Sequence, residues 1–227
     1  MPTSQPAEAP STAAAPTPRR RKPRKGDLTA QAILDTAERL LETRPLDEIA
    51  VDELTTGAGI SRSTFYFHYE SREAVLYALA ERIAEDLYRS AGVWLRRGGE
   101  APAVALRRAI EATLSLWREH GPVLRASVRA RDVDPHLRRF WAEVGRRFID
   151  SAAEQIEGER AAGVAMPGPP SARMLATVLV TMNEQACFNQ TLTKKSTATD
   201  AELVDTLTTI WMRAVYGTMR VDGDATG

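Results

Sequence analysis

The chain has 227 residues, 43% of them hydrophobic and 26% charged, with thirty basic side chains balancing thirty acidic ones. That is enough apolar material to bury a core without covalent staples. A single cysteine, Cys187, excludes an internal disulfide framework and a cysteine-rich metal site, and it fits a reducing cytoplasm.

The neutral total hides an uneven distribution. Residues 1–26 hold Arg19, Arg20, Arg21, Lys22, Arg24 and Lys25 against one acid, Glu8, so this stretch carries +5 and residues 27–227 carry −5. The stretch is rich in Pro, Ala, Ser and Thr and has no large apolar residue beyond Met1, so a disordered basic arm is expected. Such arms meet nucleic acid, or they serve only as solvated tails; composition alone leaves both open. The arm has no apolar segment behind its charges, so it does not read as a secretory signal.

From Asp27 onward the pattern turns helical. Ile33, Ala37, Leu40 and Leu41 share one face of a first helix, with Asp27 or Thr29 placed to cap its start and Arg44-Pro45 to end it. A short second helix turns Val51, Leu54 and Ala58 inward, and Gly59 suits the left-handed residue that closes it. Ser61 is placed to cap a third helix, Arg62 to about Tyr69, and Ser71 a long fourth one running to about Arg97.

Five more helices follow: Ala103 to His120, Pro122 to Ala130, Pro135 to Gly163, Ser171 to about Thr191, and Asp200 to Gly217. Gly and Pro clusters separate them. No stretch alternates as a strand does. The longest apolar run, Leu175 to Met182, is interrupted by threonine and too short to cross a bilayer. The fold class is therefore all-α, with about nine helices. A helix-turn-helix domain over 27–70 is followed by a connector helix and C-terminal bundle over 71–220 and a disordered tail at 221–227.

The segment Val51 to Tyr69, VDELTTGAGISRSTFYFHY, joins two short helices by a Gly-containing turn. In a helix-turn-helix the second helix enters the DNA major groove. Phe65 and Tyr69, four apart, pack inward with Ile60, which leaves Arg62, Ser63, Tyr66 and Phe67 facing mostly outward. A plain helical hairpin would keep two exposed aromatics at a cost. Arg62 and Arg72 each follow a capping serine, where a cation opposes the helix dipole. A DNA phosphate would resolve that conflict; arginines extended into water would simply bear a small penalty.

The run GAGISRSTFYFHYESREAVL resembles the signature of the TetR family of bacterial regulators, over about forty ordered positions from Ile33 through Leu76. The resemblance implies a DNA-binding regulator, by family habit a repressor, in which Thr64, Tyr66, Phe67 and His68 face DNA. Thr64 and Tyr66 would reach phosphate or sugar, Phe67 thymine methyls and His68 phosphate; Ser61, Arg62, Ser63 and Arg72 complete the surface. Ala50 departs from the pattern, since relatives usually carry a capping Ser or Thr there. The arm around Arg24 and Lys25 faintly resembles a minor-groove hook.

In the C-terminal half, Trp141, Val144, Phe148 and Ala152 share a helix face in which Gly145 leaves space, and Leu175, Leu179, Asn183 and Cys187 step by four along the next long helix. An amide set in an apolar, aromatic-rich stripe fits a small-molecule site, and it equally fits a core with one satisfied asparagine. This half resembles a mycobacterial branch of the TetR family, through the Trp141 to Arg160 helix, Met182-Asn183-Glu184, Phe188 and the Thr206 to Tyr216 helix. The resemblance implies a long narrow channel lined at Trp117, Trp141, Phe148, Asn183, Phe188 and Trp211, with the asparagine bonding a small apolar effector. Leu106, Thr113 and Gly145 stand where larger side chains occur in that branch, so a wider channel is expected.

The last helix has two apolar stripes, Leu203, Leu207, Ile210 and Ala214 on one side and Val204, Trp211 and Val215 on the other. A helix with two apolar faces needs two partners, and a homodimer through the last two helices would set two recognition helices on a palindromic operator of double-stranded DNA. Two other classes compete. A helical adaptor leaves the arm and the Tyr66–Phe67 surface unexplained. An enzyme finds no support: His68, His120 and His136 have no metal-ligand spacing, Cys187 has no evident partner, and there is neither a nucleophile elbow nor a phosphate loop. No cofactor, catalytic residue or metal site is expected.

Overall fold

The structure, a computed structural model, describes residues 25–95, 99–192 and 197–217. Within them lie nine α-helices, one 3-10 turn and no strand. The residues of the basic arm up to Arg24, and those of the tail at 221–227, lie outside the described residues.

Helix α1 (Lys25–Leu41) carries Asp27 in its first turn and Arg39 in its last, the order that complements the helix dipole. Its Ile33, Ala37 and Leu41 are buried, as the spacing requires. A 3-10 turn (Leu46–Glu48) then leads into α2 (Val51–Ala58). With alanine at the cap, only half of a capping box forms: the Ala50 N–H donates to Glu53 at 3.0 Å, while no side chain serves the N-terminal amides in return. Gly59 closes α2 in the left-handed region at φ 66°, ψ 35°. Gly57 has a different reason, close approach: a Cβ there would come within 2.4 Å of Thr36 on α1.

Helix α3 (Arg62–His68) starts on the Ser61 hydroxyl, which accepts from the Thr64 N–H at 3.1 Å. Helix α4 (Arg72–Leu95) starts on Ser71, which accepts from the Ala74 N–H at 3.1 Å. The remaining helices are α5 (Pro102–Glu119), α6 (Gly121–Ala130), α7 (Pro135–Ala161), α8 (Ala172–Thr191) and α9 (Thr197–Tyr216). Asp134 accepts from His136 and Leu137 at the start of α7, and Ser171 from Met174 at the start of α8. The last helix begins three residues before the expected Asp200.

One continuous apolar core runs from Ile33 on α1 to Val215 on α9. Helix α4 packs along α5 and also touches α1, α6 and α7, so it joins the N-terminal helices to the bundle. The α5–α6 corner rests on α1, where His120 meets Glu38. Deeper in the bundle, Arg118 is 8% exposed and pairs with Asp200 at 2.6 Å, fixing α5 to α9. Among the described residues, no helix is long and apolar enough to cross a membrane.

Candidate DNA-reading surface and effector cavity

Helix α3 divides as its spacing predicts. Phe65 is fully buried beneath it, whereas Tyr66 is 48% and Phe67 84% exposed. The Phe67 ring lies edge-on to His68, centroids 5.2 Å apart. Arg62 reaches the Asp52 carboxylate of α2 at 3.3 Å. Its bond to Tyr66, then the Asp52 charge, hold the guanidinium above its ordinary range, so it remains a cation. The Ser61 hydroxyl lies 2.8 Å from those of both Ser63 and Thr64, so three hydroxyls satisfy one another at the head of the helix.

Two features depart from expectation. Arg72 resolves its conflict with the helix dipole inside the protein: Nη1 donates to the carbonyls of Asp47 and Ile49 at 2.9 and 3.1 Å, and Nε to Glu73 at 3.0 Å. It is a strut holding the 3-10 turn, and no phosphate is needed to explain it. Lys25 belongs to the first turn of α1, not to an extended arm, while Arg24 lies outside the described residues. The start of α1 nonetheless comes close to α3, since a Cβ on Gly26 would sit 3.9 Å from His68.

In the bundle, four helices and the end of α9 line a cavity of about 130 Å³. Helix α5 contributes Leu106, Thr113 and Trp117; α7 contributes Trp141, Gly145, Phe148 and Ala152; α8 contributes Asn183, and α9 Trp211. Nine of the ten expected lining positions therefore converge. The tenth does not: Phe188 packs edge-on behind Trp117, centroids 6.4 Å apart, and is a buttress for the wall. The ten expected lining positions leave out a further wall. Leu87, Ala91, Trp94 and Leu95 of α4 line the cavity, and their i, i+4, i+7, i+8 spacing is the available signal. At Gly145 a Cβ would meet nothing within 4 Å, so the expected space is present.

The polar groups of the cavity have definite partners. The Trp211 indole N–H donates to Asn183 Oδ1 at 3.0 Å. An indole nitrogen is only a donor, so this contact fixes which end of the amide is oxygen. The expected ligand-bonding asparagine thus has its carbonyl engaged and its NH₂ left to offer. Trp94 packs edge-on to Trp211, centroids 5.2 Å apart, and donates to Tyr216 at 3.2 Å; Tyr216 in turn donates to the buried Glu159. On α8, burial pushes the Cys187 thiol up to about 12. Among the described residues no group of His, Cys, Asp and Glu could hold a metal ion.

On the outside of the bundle, Met174 and Val178 of α8 are more than half exposed and Ile210 of α9 is 38% exposed. The expected stripe of Leu203, Leu207, Ile210 and Ala214 on α9 divides: Leu207 is buried within the protomer, while Leu203 and Ala214 are half-buried beside Ile210.

Residues 33–79 match the family described as bacterial regulatory proteins, tetR family, and residues 106–217 match the C-terminal domain of the transcriptional regulator EthR. The chain is 37% identical to the HTH-type transcriptional regulator EthR of Mycolicibacterium smegmatis, covering 90% of this chain and 95% of that one. It is also 37% identical to EthR of Mycobacterium tuberculosis strain H37Rv, covering 92% and 97%. A putative TetR-family regulator from Mesorhizobium loti shares the fold, with a TM-score of 0.67 at 17% identity over 86% of this chain and all of that one. So does a putative transcriptional regulator from Saccharomonospora viridis solved in complex with choline, with a TM-score of 0.67 at 22% identity over 82% of this chain and 96% of that one. The named relatives are regulators, not enzymes, and this chain belongs to the TetR family of bacterial transcriptional regulators, with the C-terminal domain of its EthR branch.

Proposed function

We propose that the protein represses transcription as a homodimer bound to a palindromic operator, and that a small apolar effector in the bundle cavity releases it. The observation that carries the DNA half is the Tyr66–Phe67 pair, 48% and 84% exposed on the second helix of the helix-turn-helix. Such apolar exposure is costly without a partner, and thymine methyls and sugar faces in a major groove supply one. Arg62, Ser63, Thr64 and His68 surround the pair and serve phosphates. Thr64 and Ser63 must exchange their hydroxyl bonds to Ser61 for a phosphate oxygen, a near-neutral trade.

The effector half rests on the cavity and on how its walls are built. Helix α4 runs from Arg72, beside the helix-turn-helix, to Trp94 and Leu95 in the cavity wall. A ligand that moves the wall moves the recognition helices, whose spacing in a dimer must match half-sites about 34–36 Å apart. Met174, Val178 and Ile210 form the apolar face offered to a second protomer. Operator DNA also sets the location, the bacterial cytoplasm. The test is an electrophoretic shift on the DNA upstream of the gene, with and without effector. Retardation by an inverted repeat, abolished by effector, is the expected result; failure to retard any upstream duplex at low salt would remove the proposal.

A further inference from the structure

The indoles around the cavity have different hydrogen-bond environments. Trp94 donates to Tyr216 and Trp211 to Asn183. Trp141 lines the same cavity, and its Nε1 is buried with no partner among the described residues. A buried donor left unpaired is costly and is rarely retained without a reason. The other polar groups inside share its character. Asn183 has spent its carbonyl on Trp211 and retains its NH₂; Thr113 brings a hydroxyl that turns either way. Among the described lining residues the one carboxylate, Glu184, is 45% exposed and pairs with Arg131 at 3.4 Å. The interior therefore presents the N–H groups of Trp141 and Asn183, with one hydroxyl that serves either way, on an apolar wall. No cation stands among the described lining residues to balance a buried anion, whose transfer would be prohibitive.

Building on the effector reading above, we infer that the effector is a neutral molecule with a carbonyl or ether oxygen that accepts from the Trp141 indole N–H. Trp141 is then a specificity-determining residue of the cavity. Carboxylates are rejected by desolvation with no cation to pair them, and ammonium ions likewise, since the one carboxylate among the described lining residues is half exposed and already paired with Arg131. At about 130 Å³ the cavity, before any side chain rotates, is of the size that takes a single aromatic ring. The probes are accordingly acetophenone and its isostere α-methylstyrene, which has a methylene in place of the ketone oxygen.

Calorimetric titration of the full chain and of Trp141→Phe with both probes tests the inference. The substitution keeps an aromatic ring and removes the donor. Acetophenone is expected to lose about tenfold in affinity, the scale of one hydrogen bond to a buried donor, while α-methylstyrene changes less than twofold. Equal losses for both probes would overturn the role of Trp141. A second readout uses the wild-type protein and does not depend on the variant folding: the carbonyl stretch of bound acetophenone should lie below its value in an apolar solvent. An unshifted stretch, or a shift that persists in a folded Trp141→Phe, overturns the assignment, the latter passing the donor role to Asn183. If neither probe binds the wild-type protein at millimolar concentration, the effector cavity itself fails, and the inference with it.

Discussion

His120 Nδ1 lies 2.5 Å from Glu38 Oε1, where the α5–α6 corner rests on α1, and the other oxygen of Glu38 accepts from Arg82 of α4 at 2.7 Å. One carboxylate thus holds together three helices, one of which belongs to the helix-turn-helix unit. His120 directly follows α5, the helix that brings Leu106, Thr113 and Trp117 to the cavity. Glu38→Gln should cost about 2 kcal/mol in urea unfolding, the usual value for hydrogen bonds to a charged group. His120→Ala and Glu38→Gln together should cost less than the sum of the two, with a coupling of about 1 kcal/mol. Strict additivity would mean that the contact does not join the two regions.

Tyr66→Ala with Phe67→Ala tests the recognition helix. Both rings are exposed and neither belongs to the core, so stability should change by no more than about 0.5 kcal/mol. Operator affinity should fall by about 1 kcal/mol or more for each base edge no longer touched. Affinity for random duplex should change little. Competition binding with operator and scrambled DNA measures this directly, and an undiminished preference for the operator would mean that α3 is docked wrongly.

Removing residues 1–24 should weaken binding to every sequence alike and flatten the dependence on salt. Five of the six basic residues of the arm are removed while α1 keeps its first residue, Lys25. Each phosphate that the shortened chain leaves unneutralised lowers the log–log slope by about 0.9. The proximity of Gly26 to His68 places the start of α1 beside the recognition helix. A truncated protein with the full-length slope would show that the arm floats free.

Much of this architecture is legible because its signals are local. Apolar spacing locates each helix, and serines at 61 and 71 cap two of them as their positions suggest. Gly59 adopts the left-handed conformation expected of it. What the sequence conceals is partnership across long separations. Arg72 reads as a phosphate ligand because its acceptors, the carbonyls of Asp47 and Ile49, are backbone groups more than twenty residues away and have no signature. The Asn183–Trp211 bond is hidden for the same reason. Resemblance places Phe188 in the channel, yet it sits behind Trp117, one layer from the wall. The α4 wall is hidden because the apolar residues that face the cavity merge, in sequence, with those that pack the connector against its neighbours.

Cys187 offers a probe of integrity. It is 1% exposed, and burial pushes its thiol up to about 12, so almost no thiolate exists at neutral pH. The native protein should therefore react with a disulfide reagent at pH 8 only as fast as it opens, with full reaction in denaturant. Rapid labelling of the native protein would mean that the α8 core is looser than its burial implies.

The last prediction concerns Gly145, which lies inside α7 and faces the cavity, with nothing within 4 Å of where a Cβ would stand. Two substitutions there separate backbone from volume. Gly145→Ala removes the entropic penalty of glycine in a helix and adds one methyl to empty space, so it should stabilise the protein by about 0.5–1 kcal/mol and leave effector binding nearly intact. Gly145→Trp gains the same backbone benefit but projects an indole into a cavity of about 130 Å³, where the effector would otherwise lie. The variant should bind operator with wild-type affinity or better and should no longer be released. Reciprocity gives an independent check: in the wild-type protein, operator DNA must weaken effector binding by the same factor by which effector weakens DNA binding. That factor should be several-fold to about a hundredfold, and the Gly145→Trp protein should show no such linkage. Fluorescence anisotropy on labelled operator, with and without acetophenone, gives both numbers. If Gly145→Trp is still released by the same concentration of ligand, the effector acts at another site.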